Sequence, residues 1–293
     1  MRYSIHSRFR GTLLGMATGE MLERSTCKTS SSSREENCNS CQTALLDLVL
    51  RGVKTLIAFG RFEPAAWRNV MAEVGKANAA TSLLTTLPLA VFYHENELKL
   101  RQNLQLALVA IAQDKPESCA GALALGYAIA TAIQAKSNPI ELISQTIAFI
   151  GTSPTATAAK LDRVKILLSE RAGLERAIAQ VGQPDRLSSQ IALAFFCCFS
   201  TPADFRLAVQ RAATISDRGA TSAIAGALSG AYNGMASIPA TQALAIGMTN
   251  QVEVLRLCDA LVAVWSGVYE QSDSVTATNQ IAAIAAPQIV RRR

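Results

Sequence analysis

The chain has 293 residues, of which 49% are hydrophobic and 17% charged. This balance is opposite to that of disordered chains and ample for one sizeable core. Aromatics make up only 5%, so the core has to be built from Ala, Leu, Ile and Val, which suits closely packed helices. Lys and Arg number 28 against 22 Asp and Glu, a net charge of +6 that favours solubility and anionic partners. No basic stripe interleaved with aromatics is present, so nucleic-acid binding is not expected.

The N-terminus is basic (Arg2, Arg8, Arg10), but the apolar stretch after Gly11 is cut short by Gly19-Glu20, which argues against a secretory signal. His6 precedes this stretch. Lys28–Asn39 is polar, Ser-rich and without apolar anchors, and predicts an exposed, mobile loop over 27–41. Helical periodicity then recurs over 43–59, 63–74, 83–93 (broken near Pro88), 98–112, 117–135, 139–150, 160–170, 188–199, 202–216, 221–232 and 250–269. His94 falls at a helix end and reads as a surface residue. Ala120–Ile133 is too short and too Ala/Gly-rich to span a bilayer, which takes about 20 apolar residues, and reads as a buried core helix. Strand patterns are scarce, no linker divides the chain, and no fixed-period repeat is visible. The expectation is an all-α, compact single-domain helical bundle over 1–293, placed in the cytoplasm without a membrane segment.

The seven cysteines give no secreted disulfide framework. Cys197-Cys198 reads as a pair of buried free thiols, and Cys119 and Cys258 fall in helical patterns. Cys38-x-x-Cys41 stands at the start of the helix after Thr43, with Cys27 upstream. Three cysteines so placed are candidates for thiol redox chemistry or zinc binding, against the simpler reading of a Ser-rich loop that tolerates cysteine. No phosphate-binding glycine loop or nucleophile elbow is visible.

Two segments carry a family resemblance. Arg8–Met21 reads RFRGTLLGMATGEM and Ala223–Pro239 reads AIAGALSGAYNGMASIP; with Pro202–Ile215 they resemble the ADP-ribosylglycohydrolase family, including the dinitrogenase reductase-activating glycohydrolases. Gly226, Gly230 and Gly234 share one helix face and predict a close helix–helix approach.

The resemblance implies an all-α fold with two Mg²⁺ ions held at two helix N-termini by Thr-Asp-Asp-Thr and Asp-x-Asp-Thr motifs. Such ions favour hard oxygen ligands, and several Asp residues are needed to reverse the positive sign of a helix start. Here the first motif falls on Ser40-Cys41-Gln42-Thr43 and the second on Arg218-Gly219-Ala220-Thr221, so only the threonines match. Asp47 and Asp217 are the nearest acids to stand in as metal ligands if the site is rescued, and Glu20 replaces the Asp of the family's early Gly-Asp pair. The expectation is therefore a pseudoenzyme without bound cofactor, acting as a binding or protein-interaction module. Thr43, Arg218 and Thr221 are its candidate ligand-binding residues, for ADP-ribose, another nucleotide or a protein partner. Two alternatives stand beside it: an active ADP-ribosyl hydrolase using Glu20, with Mg²⁺ if Asp47 and Asp217 rescue the site, and a redox-sensing module using Cys27, Cys38 and Cys41.

Overall fold

Every ordered element in the computed structural model is helical. It describes residues 4–27, 44–72, 78–135, 138–152, 155–183, 186–215, 220–241 and 247–267, and no strand occurs among them. In chain order the helices are α1 (Ile5–Cys27), α2 (Ala44–Phe59), α3 (Pro64–Val70), α4 (Ala79–Thr85), α5 (Leu87–Phe92), α6 (Glu97–Ala110) and α7 (Pro116–Gln134). They continue with α8 (Pro139–Ile150), α9 (Ala156–Ser169), α10 (Leu174–Val181), α11 (Leu187–Ser200), α12 (Phe205–Ala213), α13 (Ala220–Asn233) and α14 (Met248–Ser266), with a short 3-10 turn, Met235–Ser237, between the last two.

Local chemistry sets most borders. The Asn78, Asn96, Asn138 and Asp204 side chains accept from the backbone N–H of Thr81, Lys99, Glu141 and Leu207, each satisfying a donor that the helix leaves unpaired. Pro64, Pro88, Pro116 and Pro139 occupy first-turn positions, where the missing N–H costs nothing. The break expected near Pro88 falls at Thr86, which joins α4 to α5.

The core centres on α1, α7, α11 and α13. Nearly every residue of α7 from Ser118 to Ile133, and all of α11 from Leu187 to Phe199, is buried. Both helices are apolar all round, as interior helices must be. The other helices wrap them with one apolar face each, and a single cluster runs from Phe9 to Leu261.

The sequence reading needs five corrections. His6 lies in the first turn of α1 rather than before it, and that helix runs through Gly19-Glu20 to Cys27. The helix read from Pro202 starts only at Phe205, because Asp204 is its cap. Gly234 has left α13, with φ +70°. Helix α10 carries no counterpart among the expected helices. His94 is 1% exposed rather than on the surface. Of the expected 27–41 loop, Cys27 is the last residue of α1 and the rest lies outside the described residues.

The α1–α13 contact positions everything that follows. These helices run antiparallel with Gly11 against Gly230, Gly15 against Gly226 and Gly19 against Ser222. A Cβ added at any of these glycines would overlap a carbonyl oxygen of the other helix. The two backbones touch directly, which only residues without side chains allow.

Candidate functional site

Antiparallel packing puts the second half of α1 beside the first turn of α13. From α1 come Thr18, 1% exposed, and Glu20, 4% exposed; from α13 come Thr221 and Ser222, both fully buried. Thr18 Oγ1 is spent locally, donating to the Leu14 carbonyl at 2.8 Å. Glu20 is engaged with its surroundings. Thr221 differs: its Oγ1 is buried and has no hydrogen-bond partner. A buried hydroxyl left unpaired costs about 1–3 kcal/mol. It lies in the first turn of α13, at the positive end of the helix dipole. Helix α4 packs against both α13 and α2, the two helices that follow Thr43 and Arg218-Gly219 in sequence.

Asp47 is in the first turn of α2, but its carboxylate accepts from Arg51 one turn on, at 2.7 Å, with its side chain 45% exposed. It is already committed to a surface ion pair. Thr43, Asp217, Arg218, Cys38 and Cys41 lie outside the described residues, as does the thiol of Cys27. Among the described residues no group of three or more His, Cys, Asp and Glu side chains converges. The described hydroxyls at the start of α13 are those of Thr221 and Ser222; by themselves they do not fit a pair of Mg²⁺ ions, which need several carboxylates.

The described thiols lie elsewhere. Burial pushes Cys197 up to about 12, against a small lowering by Arg211, and Cys258 up to about 12; Cys198 is pushed higher still. They behave as small core hydrophobes.

A polar pocket of about 190 Å³ opens between α5, α6, α7 and α8, with His94, Glu97, Tyr127, Thr131, Gln134 and Gln145 in its lining. It is remote from the start of α13. The His94 ring touches Phe9 on α1, edge to face at 5.4 Å, and Phe9 stands eleven residues before Glu20, about 16 Å along the helix at about 1.5 Å per residue. The same end holds Arg8, 5% exposed, whose guanidinium donates to the Ala132 carbonyl in the last turn of α7. Sequence reasoning missed both Arg8 and His94. Arg8 was legible only as part of a basic terminus, and His94 only as a residue beyond a helix.

No curated protein matches the chain. The family model for ADP-ribosylglycohydrolase matches residues 24–271. The chain belongs to the ADP-ribosylglycohydrolase family. That match starts after Arg8–Met21 and includes Ala223–Pro239, and the fold joins these two segments as the α1–α13 pair. The architecture agrees with a solved structure described as an ADP-ribosylglycohydrolase-related protein complex. That structure is 18% identical, with a TM-score of 0.64 over 89% of this chain and 99% of the other. No described helix is long and apolar enough to cross a membrane.

Proposed function

We propose that this family member is a pseudoenzyme that binds the diphosphate of ADP-ribose or a related nucleotide at the start of α13, without metal and without hydrolysing it. The observation that carries the reading is the fully buried, unpartnered Thr221 hydroxyl, preceded in sequence by Arg218-Gly219-Ala220 rather than by carboxylates. A helix start already suits phosphate. Arg218 adds a fixed cation with a planar fork that can grip phosphate through two hydrogen bonds. Thr43, at the start of α2, is proposed as the matching contact from the other motif. Thr221 is fully buried, so occupation, which would give its hydroxyl a partner, requires the start of α13 to open.

Calorimetry in chelator-containing buffer tests this. ADP-ribose is expected to bind saturably, Arg218→Ala to abolish binding, and Mg²⁺ alone to give no saturable heat. Absence of ADP-ribose binding, or unchanged binding by Arg218→Ala, refutes the reading.

Glu20 supports a second reading, an active hydrolase. The Glu20 carboxylate is buried, on the stretch of α1 that packs beside the first turn of α13, and would act as a general acid or base at a glycosidic bond. Turnover of an ADP-ribosylated substrate that Glu20→Gln abolishes would establish it. The similar structure is described as a complex, which adds some support for a protein partner as well.

A further inference from the structure

Outside this site, one amine without an ion pair among the described residues is held by a hydroxyl. Lys160 on α9 reaches the first turn of α11, where its Nζ donates to Ser189 Oγ at 2.5 Å. The charged groups that act on it are Arg186, the N-cap residue of α11, and Glu117 in the first turn of α7. No carboxylate comes within ion-pair distance of Lys160 among the described residues. The Glu117 carboxylate accepts instead from Thr157 Oγ1 at 3.0 Å. Burial, then the like charge of Arg186, pushes the amine's pKa down, against a smaller upward pull from Glu117.

This is a poor place for a cation. Arg186 repels it, and the helix start repels it again. A negative group at the same position would meet the reverse. Arg186 supplies no side-chain cap to α11, and the Ser189 hydroxyl, now accepting from Lys160, can turn and donate. A Ser–Lys pair at hydrogen-bond distance also suggests an acyl-transfer nucleophile. Ser189 is fully buried, however, so no ester or peptide can reach it. Lys160 is partly exposed, and the reagent that suits it is small and uncharged.

We propose that Lys160 is a carbon dioxide-binding residue, forming a lysine carbamate held by Ser189, Arg186 and the start of α11. The ammonium first loses a proton to water. The Nζ lone pair then forms a bond to the carbon of CO₂, one C=O π pair moves onto oxygen, and the second N–H proton leaves to solvent. The product is an N-carboxylate anion, with no change of oxidation state. Charge at the site reverses from positive to negative, as the local field favours.

The test equilibrates the intact protein with ¹³C-bicarbonate at mildly alkaline pH, ethylates carbamates with a trialkyloxonium salt, and maps the labelled peptides. Label on the Lys160 peptide is expected about tenfold above that on the exposed Lys54 and Lys115, the equivalent of about 1.4 kcal/mol. Ser189→Ala is expected to remove this excess, with the far-ultraviolet circular dichroism spectrum unchanged. Labelling of Lys160 at or below the level of the exposed lysines overturns the proposal. So does an excess that Ser189→Ala leaves intact. Should Ser189→Ala fail to fold, Ser189→Cys gives the second reading, with the excess again expected to fall.

Discussion

Replacing Gly226 by alanine probes the contact on which the fold and the candidate site both depend. A Cβ there would stand 2.8 Å from the Gly15 carbonyl carbon, where carbon atoms settle at about 3.5–4.0 Å. The obstacle is the backbone of α1, which has no rotamer to change, so the two helices must part by roughly 1 Å. Overpacking costs about 1–3 kcal/mol, and an obstacle made of backbone puts Gly226→Ala at about 3 kcal/mol or more. For a chain of this size that corresponds to a fall in Tm of about 6 °C or more, at about 2 °C per kcal/mol. Gly121→Ala is the matched control. Its new Cβ would also meet an atom at 2.8 Å, but that atom is Ile191 Cδ1, the tip of a flexible side chain. The helix gains about 1 kcal/mol of propensity there, so Gly121→Ala is expected within about 1 kcal/mol of the parent. Differential scanning fluorimetry separates the two. Equal melting temperatures for both variants would refute the claim that backbone contact sets the α1–α13 distance.

Thr221→Val swaps an unpaired buried hydroxyl for a methyl of the same shape and is expected to raise stability by about 1 kcal/mol while weakening ADP-ribose binding; denaturant titration showing a loss would mean the hydroxyl has a partner. Arg8→Ala removes a charge-assisted hydrogen bond to the Ala132 carbonyl and is expected to cost about 3 kcal/mol in the same titration. For Asp259, desolvation lifts the carboxyl, but hydrogen bonds from Arg10 and His6 outweigh it and hold its pKa below the ordinary 3.8. The folded value is depressed, so its stabilisation is fully present above 3.8 and is lost as pH falls through the folded value. The group is largely exposed, so the effect is small, and Asp259→Asn is expected to flatten the acid limb of the stability profile below about pH 4. With Cys197 and Cys258 pushed up to about 12, a disulfide reagent at mildly alkaline pH is expected to label them only in denaturant, and to reach Cys119 before them in the native state.

The fold was legible because its signal is periodic. Leu45, Leu46, Val49, Val53 and Leu56 share one face of α2, and each is buried. The errors have separate physical causes. His6 read as lying before the first helix, but α1 already begins at Ile5, and Gly19 sits within it against Ser222 of α13, a contact that a one-dimensional reading cannot see. Helix α10 spans eight residues between Gly173 and Gly182, and is too short to show several turns of period. His94 lies just past α5, where the pattern predicts solvent; Phe9 and Trp265, distant in sequence, close over it. At the candidate site, the motif count located Thr221 and Glu20. That the Thr221 hydroxyl is both buried and unpaired is a property of packing, and no spacing rule carries it.

The scaffold and the site make separable demands on the sequence. Contact between α1 and α13 is made by Gly11, Gly15, Gly19, Gly226 and Gly230, and none of these contributes a polar side chain to the start of α13. A change at residues 217–221 therefore leaves the backbone contact intact, whereas a single methyl at Gly226 does not. A cluster of carboxylates at a helix start is destabilising unless a cation balances it, because like charges repel at short range. Arg218 and Ala220 stand at the two acidic positions of the motif, so that repulsion does not arise in this chain, and none of the contact glycines is involved. A chain can keep the fold while changing what its helix starts bind.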